Sequence, residues 1–450
     1  MKMMPDLKLP DLKLPGGFRM LARTLALRDY RLYVIGNFTS YTGLWVQRVA
    51  IGWLAWQLTG SPAWLGIIAF ADQAPTLLLG LFAGALTDRM DYFKLLRITQ
   101  GLTLLYSAIM ALLAFTGWID IWSLLALTVF RGTIVAFNRP SRMTVVYHLV
   151  GRDLLPSAVS LNSMIFNSSR FIGPAIGGGI IVLAGTGWTF AVGALMFLVF
   201  TVCLRMMNAP AVPMPERGHQ SILAESMEGL RYVVAHPGLR MQMTILTVTS
   251  LFARPLTDMF PGFADEVFGN GAHGLALLQS AQGVGAMVGG ALMLGHGRLQ
   301  GLTRLTLANI VVMSLATIGF ALVGGDMFWL ACLLIVVVGF ALTLQSTGNQ
   351  TLIQSAADPE MRGRVLGLYG LVARGGPALG ALLMGVGSEH FGFRAPAIVG
   401  AGLCLLLWIW AWRLRGQIAE NLEIDPPNSD QKPGREAGGG DKGRAGRPDA

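Results

Sequence analysis

Twelve long apolar runs dominate this chain and restrict what it can fold into. A helix of about 20 mostly apolar residues crosses the hydrocarbon core of a bilayer. Runs of that kind lie at residues 33–57, 62–86, 95–117, 121–141, 156–184, 188–206, 241–262, 272–294, 304–323, 327–350, 364–386 and 395–413. Only 13% of the residues are charged, against about 25% in a soluble protein. We therefore predict an all-α membrane protein with twelve transmembrane helices.

The basic residues predict how the chain is oriented. If the N-terminus lies inside, Arg394 is the only basic residue in the predicted outer loops. The predicted inner segments are rich in basic residues: Arg89, Lys94, Arg97, Arg139, Arg142, Arg152, Arg205, Arg217, Arg231, Arg240, Arg298, Arg304, Arg362 and Arg364. Because cytoplasmic loops carry the excess of lysine and arginine, both termini are expected in the cytoplasm.

The runs form two groups of six, which predicts two six-helix bundles joined by a linker. The predicted parts are a basic cytoplasmic tail at 1–27, a bundle at 28–206, a cytoplasmic linker at 207–240, a second bundle at 241–415 and a disordered cytoplasmic tail at 416–450. The last part is too poor in apolar residues to bury a core. The linker contains a predicted amphipathic helix at 221–235, on the membrane surface or under the bundles. Its apolar face consists of Leu223, Met227, Leu230 and Val234.

A short motif recurs at the same place in each half. Gly173–Gly177 (Gly-Pro-Ala-Ile-Gly) in the predicted fifth helix returns as Gly376–Gly380 (Gly-Pro-Ala-Leu-Gly) in the eleventh, with Pro174 and Pro377 at the second position. These positions are equivalent if a six-helix unit is used twice. Proline removes a backbone donor, and glycine permits bending and close packing. The motifs are interpreted as hinges, and the alternative is that they are packing kinks.

Seven charged residues lie in the interior of the apolar runs, away from both ends, where charge is costly. They are Arg48, Asp72, Arg131, Arg170, Arg254, Asp258 and Arg374. At about 2.5–3.5 kcal/mol each, exposing all of them to lipid costs about 20 kcal/mol, more than the about 5–15 kcal/mol that stabilises a typical protein. We therefore expect them to face one another or a water-filled cavity. Gln345 and Asn349 add a polar stripe in the tenth run.

Three of these charges are expected near the membrane midplane. Arg48, Asp72 and Arg131 each lie about ten residues from the predicted outer end of their helix, which is about 15 Å. One hypothesis makes Asp72 a proton carrier that is modulated by Arg48 or Arg131, with Asp258 as the next candidate. The alternative is a permanent ion pair between Arg48 and Asp72 that fixes the fold. Desolvation favours the protonated carboxyl and a close arginine favours the ionised one, so both hypotheses remain open.

The charges within the runs predict what the cavity binds. Five arginines against two aspartates leave a surplus of three positive charges, which favours organic anions. The alternative is that some of these arginines cap helix breaks or snorkel to the membrane surface.

The connection Phe82–Lys94 (FAGALTDRMDYFK) carries a recognisable pattern. Gly84, Leu86, Asp88 and Arg89 match G-x-L-x-D-R. The chain resembles the major facilitator superfamily over about residues 27–415, most closely its enterobactin-exporter-like, transmembrane secretion effector branch. Arg131-Gly132 resembles the proton-transfer motif of the superfamily, and Gly173-Pro174 its antiporter motif. In the equivalent connection of the second half, Gly295–Arg304, basic residues occur without an aspartate.

The resemblance implies a bacterial inner-membrane efflux carrier that is driven by proton exchange. Gly84, Asp88 and Arg89 would form the cytoplasmic gate. There Asp88 could meet the positive N-terminus of the predicted eleventh helix near Arg364. Alternating access would move a small organic solute, siderophore-like or drug-like, outward against inward protons. The alternatives are a carrier of lysophospholipids or other lipids, and a non-transporting scaffold or sensor.

Other classes of protein lack support in the sequence. There is no Walker loop, no G-x-S-x-G and no H-E-x-x-H, so we expect no enzyme, metal or cofactor. The net charge of +9 fits a positive-inside membrane protein better than a nucleic-acid binder. The expected partners are a small-molecule solute, protons and lipid, and the protein is expected to work as a monomer.

Overall fold

The computed structural model describes residues 16–87, 90–208, 222–296, 299–416 and 422–423. Within these ranges the regular structure is helical. The first half contains α1 (Gly16–Ala26), α2 (Arg28–Thr59), α3 (Pro62–Thr87), α4 (Tyr92–Thr116), α5 (Ile121–Ala184) and α6 (Thr186–Met206). The second half contains α7 (Ile222–Ala235), α8 (Pro237–Phe252), α9 (Phe260–Gly262), α10 (Gly271–His296), α11 (Leu302–Leu322), α12 (Phe328–Ala356), α13 (Arg362–Phe391) and α14 (Arg394–Arg413).

Helix α5 joins two of the predicted membrane helices. It has 64 residues, which would be about 96 Å of straight helix, twice the about 40–45 Å of a whole bilayer. Gly151 interrupts it with φ 72° and ψ −179°, in the left-handed region that glycine adopts without strain. The chain therefore turns at Gly151, between the predicted fourth and fifth helices. Asp120 begins α5 with a capping box, and hydrogen bonds from Ser123 lower the pKa of the Asp120 carboxyl.

Nine helical segments of the described residues are long and apolar enough to cross a membrane. Helix α5 is one of the nine, although it contains the kink at Gly151. Neither α2 nor the broken helix that runs from α8 to Val267 is among them. The described chain is thus a helical protein with many membrane-spanning segments, and twelve crossings remain a prediction.

Two seams join the halves. Helix α3 packs against α13, and α5 packs against α10. Glycine makes the contact close at both seams: a Cβ on Gly66 would lie 2.4 Å from the Ala381 carbonyl oxygen, and one on Gly178 would lie 2.6 Å from the Ala276 Cβ. Because no side chain separates the backbones there, the helices approach more closely than larger residues permit.

The repeated motif makes equivalent contacts in the two halves. A Cβ on Gly177 would lie 2.9 Å from the Val46 carbonyl oxygen of α2, and one on Gly380 would lie 2.0 Å from the Leu251 carbonyl oxygen of α8. The motif therefore brings α5 against α2 in the first half and α13 against α8 in the second. Gly173 and Gly376 make similar close contacts one turn earlier in their helices. Close packing accounts for these glycines, and a hinge at them remains a prediction.

The linker helix α7 packs on α13 with a face other than the predicted apolar one. Val233 is buried and Gly229 lies against Arg364. Glu228 accepts a hydrogen bond of 2.6 Å from Arg364. Of the predicted apolar face, Met227, Leu230 and Val234 are exposed, and the side chain of Leu223 lies outside the described part.

Two residues of the predicted disordered tail are held against the second half. Leu422 is fully buried, and the carboxylate of Glu423 accepts hydrogen bonds of 2.8 Å from both Gly301 N and Thr303 N at the start of α11. In the first half Asp91 caps the start of α4 with its own side chain, accepting from Phe93 N and Lys94 N. The N-cap residue of α11 is Gly301, without a side chain. Glu423 thus supplies from the tail the carboxylate that the connection before α11 lacks.

We expect Glu423→Ala to lower the free energy of unfolding by about 1 kcal/mol, the usual cost of removing a helix N-cap. Thermal unfolding in detergent, followed by tryptophan fluorescence, measures this change. Glu360→Ala is the control because Glu360 is an exposed carboxylate. Equal melting temperatures for the two variants would contradict the capping role.

Candidate functional site

Asp72 of α3 forms a buried ion pair with Arg131 of α5 inside the first half. Arg131 donates from Nη1 to Asp72 Oδ1, and the two side chains are only 6% (Arg131) and 16% (Asp72) exposed. Gly132 makes this pair possible, because a Cβ at that position would lie 2.6 Å from the Asp72 carbonyl oxygen. The Arg-Gly sequence therefore lets α5 approach α3 where the carboxylate lies.

A second ion pair crosses between the halves. Arg48 of α2 donates from Nη2 to Asp258 Oδ1 at 3.1 Å, with side-chain exposures of 35% and 13%. Asp258 lies in the 3₁₀ turn Arg254–Met259, where the helix that began as α8 is broken. Pro255 and Pro261 lack backbone donors, and 3₁₀ and π turns occupy this region.

The pairing differs from the one that the sequence suggested. The alternative to proton carriage paired Arg48 with Asp72, whereas the structure pairs Arg48 with Asp258 and Asp72 with Arg131. The charge of Asp72 nevertheless acts on Arg48 and on Asp258. The four residues thus form one cluster of balanced charge, and it spans both halves.

Further arginines surround the cross-half pair. The guanidinium carbon of Arg170 lies 5.7 Å from the ring centre of Trp45, and that of Arg48 lies 5.5 Å from the same ring. The charges of Arg254 and Arg48 both act on Arg170. Arg254 donates to the Ala373 carbonyl oxygen at 3.3 Å. In the second half α13 provides Arg374, which is in reach of the charge of Arg139 on α5.

These arginines form a positive cluster within the protein. No carboxylate of the described residues lies within 4.0 Å of Arg139, Arg170, Arg254 or Arg374. Together with Arg48 they provide five positive charges. Asp258 provides a negative charge beside them, whereas the charge of Asp72 is already balanced by Arg131. The surplus is therefore four positive charges. The sequence predicted three, because Arg139 had been placed in a cytoplasmic segment.

Two arginines of this cluster keep exposed surface although protein surrounds them. Arg170 is exposed and Arg48 is 35% exposed. Both guanidiniums nevertheless lie against the ring of Trp45. Side chains that are enclosed by protein and still accessible to a water-sized molecule line an internal space, as expected of ionised groups at membrane depth.

Gln345 and Asn349 of α12 lie in helix packing. They are 3% and 0% exposed. Gln242 of α8 donates to Asn349 Oδ1, and Gln345 donates to the same oxygen at 3.3 Å. These amides connect α12 with α8, so their predicted part in the solute path finds no support in their burial and remains a prediction.

The predicted gate is described only in part. Gly84 lies in α3, and Asp88 and Arg89 lie outside the described residues. The sequence also suggested that Asp88 meets the start of the eleventh helix near Arg364. Arg364 pairs with Glu228 of α7.

The sequence did not predict two polar contacts between the halves on the predicted outer side. Trp56 Nε1 donates to Asp265 Oδ2 at 2.8 Å across the halves. Ser61 Oγ and Ala63 N donate to Glu389 Oε2 at 2.7 and 3.1 Å. Both carboxylates occur in predicted outer loops of the second half, and an acidic residue in such a loop could have indicated a contact with the first half. These hydrogen bonds join the halves on that side.

Solved structures share this arrangement of helices. A mutant of the peptide transporter POT superposes with a TM-score of 0.70 at 13% identity, over 91% of this chain and all of that one. A bacterial homologue of the human lysosomal transporter Spinster, inward-facing and occupied, gives 0.68 at 15% identity over 89% of this chain and 99% of that one. The nucleoside transporter NupG gives 0.69 at 13% identity over 87% and 99%. The fold is that of the major facilitator transporters, and the chain is a multi-pass membrane protein.

The particular family follows from the sequence match. The profile described as transmembrane secretion effector matches residues 23–436, and the chain belongs to that family. Its relatives include the staphyloferrin A transporter of Staphylococcus aureus, 25% identical over 84% of this chain and 94% of that protein. The multidrug efflux pump Tap of Mycolicibacterium fortuitum is 27% identical over the same shares. The enterobactin exporter EntS of Shigella boydii is 24% identical over 84% and 89%. The family and relatives are transporters rather than enzymes.

Proposed function

We propose that this protein exports a small organic anion in exchange for protons. It would cross the bacterial inner membrane twelve times, with both termini in the cytoplasm, and work as a monomer by alternating access. Division of α5 at Gly151, together with α2 and the broken helix from α8 to Val267, would raise the nine candidate spans to twelve. The relatives that export siderophores and drugs support the direction of transport.

The observation that carries the proposal is the positive cluster, in which two of the five arginines lie beside Trp45. Five arginines with one carboxylate attract an anion, because a low-dielectric wall strengthens the field inside. Arg48 and Arg170 flank the indole ring of Trp45. An aromatic or carboxylated solute could therefore contact the ring and pair with a guanidinium in one place.

The cross-half ion pair suggests how protons could be coupled to the solute. A proton on Asp258 removes the negative charge that holds Arg48, and an anion bound at Arg48 competes for the same guanidinium. Either event weakens a contact between the halves. The cluster of Arg48, Asp72, Arg131 and Asp258 would couple the proton, with Asp258 as its carrier. This differs from the preference of the sequence for Asp72, because the partner of Asp72 lies within its own half.

Transport into inverted vesicles with an imposed proton gradient tests the proposal. We expect gradient-driven accumulation of a catecholate or carboxylate siderophore and none of the cation ethidium. Asp258→Asn should lose accumulation by about tenfold or more, because an amide cannot take up and release the proton. Solute exchange without a gradient should continue, since that process needs no net proton movement.

Asp326→Asn is the matched control, because Asp326 is an exposed aspartate in the turn before α12. Full gradient-driven accumulation by Asp258→Asn would exclude Asp258 as the carrier. Accumulation of ethidium in place of the siderophores would contradict an anion site.

The non-transporting alternative fits less well. A scaffold or sensor predicts that every buried charge is tightly paired. Four arginines of the cluster have no carboxylate within 4.0 Å among the described residues. Unpaired charge at such depth is costly, which supports a site that receives its counter-charge from a solute.

A further inference from the structure

Arg142 is a buried cation that the transport proposal does not use. The sequence placed it in a cytoplasmic segment, whereas the structure buries it in the first half at 6% exposure. Its Nε donates to Asn138 Oδ1 at 2.5 Å and its Nη1 to Asn37 Oδ1 at 2.7 Å. Its Nη2 donates to Ser40 Oγ at 2.7 Å and to Gln100 Oε1 at 3.1 Å. Each of these acceptors is neutral.

No negative charge balances Arg142 in the described part of the chain. No carboxylate there lies within 4.0 Å of its guanidinium. The rings of Tyr41 and Phe200 lie 4.7 and 4.9 Å from it and provide only a weak electrostatic partner. The first half therefore holds one net positive charge here, beside the neutral pair of Asp72 and Arg131.

A small cavity lies between the two buried arginines. Its lining includes Arg142, Arg131, Asn138, Ser40 and Tyr106. The space open to a water-sized molecule is about 20 Å³, enough for one water or one small ion. The helices α2, α4, α5 and α6 all contribute to its wall, so the cavity belongs to the first bundle and not to the boundary between the halves.

Tyr106 indicates what the cavity holds. Its side chain is 0% exposed, and its hydroxyl has no hydrogen-bond partner among the described residues. A buried hydroxyl without a partner is costly, and an unseen ligand is one common explanation. Of the acceptors in the wall, Asn138 Oδ1 and Ser40 Oγ already accept from Arg142. Asp72 balances Arg131, whereas no carboxylate of the described residues balances Arg142. The cavity therefore offers chiefly donors and the positive charge of Arg142, which suits an anion better than a water molecule.

We propose that this cavity binds a small monovalent anion of the halide class. The anion would accept from the Tyr106 hydroxyl and from free N–H groups of the arginines, and would balance the charge of Arg142. The site shares Arg131 with the proton-coupling cluster, but its wall lies within the first bundle, so halide binding does not depend on the identity or direction of the transported solute. Chloride, the common intracellular halide, has the charge that the cavity requires.

Thermal unfolding of the purified protein in detergent tests the site. The melting temperature is measured in sodium chloride, sodium bromide and sodium gluconate at equal ionic strength. We expect chloride and bromide to raise it saturably over gluconate. Tyr106→Phe should raise the half-maximal halide concentration about tenfold or more, because a hydrogen bond to a charged group is lost. Arg142→Gln should abolish the halide effect.

The design separates binding from folding. Tyr106→Phe removes a hydroxyl that bonds to no described group, so its melting temperature in gluconate should match that of the unaltered protein. Tyr147→Phe, at a tyrosine that is 37% exposed, is the matched control and should keep the full halide response. Crystals soaked in bromide should show an anomalous peak beside Tyr106.

Two results would overturn the site. One is a halide response that is unchanged in Tyr106→Phe. The other is an ordered water in the cavity with no bromide signal.

Discussion

Gly380→Val is expected to lower sharply the yield of folded protein in the membrane fraction. A Cβ at this position would lie 2.0 Å from the Leu251 carbonyl oxygen and 2.5 Å from Pro255 Cγ. Leu251 O is a backbone atom and cannot rotate away, so the clash is removed only if α13 and α8 separate. Valine adds two more carbon atoms to the same space. Overpacking a tight contact usually costs about 1–3 kcal/mol and occasionally more, and this backbone clash belongs at the upper end.

Fluorescence-detected size-exclusion chromatography of the solubilised protein measures the effect. Gly367→Val is the matched control, because Gly367 lies in the same helix and a Cβ there meets nothing within 4 Å. Both substitutions replace glycine by valine in a helix, so any difference reports the contact with α8. The equivalent Gly177→Val should have a smaller effect, since its nearest contact is 2.9 Å. A monodisperse Gly380→Val protein at normal yield would contradict the packing assignment.

Arg131→Met is expected to lower the free energy of unfolding by about 3–5 kcal/mol, because it leaves the buried carboxylate of Asp72 without its partner. The double variant Asp72→Leu/Arg131→Met should recover most of this loss. Replacement of a whole buried ion pair by apolar residues of similar size is often neutral or stabilising. Thermal unfolding in detergent, followed by the fluorescence of the 11 tryptophans, measures both variants.

The double variant also separates structure from transport at this pair. If the pair only holds α3 against α5, the double variant should still accumulate siderophore when a proton gradient is imposed. A stable double variant without gradient-driven accumulation would indicate that Asp72, and not Asp258, carries the proton. Equal stability of Arg131→Met and the unaltered protein would show that the pair does not stabilise the fold.

The pairing of the buried charges could be predicted from the sequence only in part. The seven intramembrane charges had to meet one another or water, because lipid would not tolerate them. Which aspartate met which arginine did not follow, since Arg48 and Asp258 are 210 residues apart and Asp72 and Arg131 are 59 apart. Hydrophobic periodicity describes the environment of each helix and carries no information about its partner.

Arg139 and Arg142 show that the sequence also marks the ends of membrane helices poorly. Their position near the end of an apolar run placed them in a cytoplasmic segment. The continuous helix α5 carries Arg142 into the amides of the first bundle, whereas Arg139 is exposed and its placement remains a prediction. The ends of membrane helices are poorly marked in sequence, because a buried arginine with neutral acceptors resembles a loop arginine until its neighbours are known.

The sequence by itself determined that this chain is a helical membrane protein, that a motif repeats in its halves, and that charge lies at bilayer depth. These conclusions depend on composition and order along the chain, because insertion into lipid acts on each segment separately. Tertiary structure alone decided that Asp72 pairs with Arg131, that Arg48 bridges to Asp258, and that Glu423 caps α11. Those contacts join distant parts of the chain, and only the packing of the helices brings them within hydrogen-bonding distance.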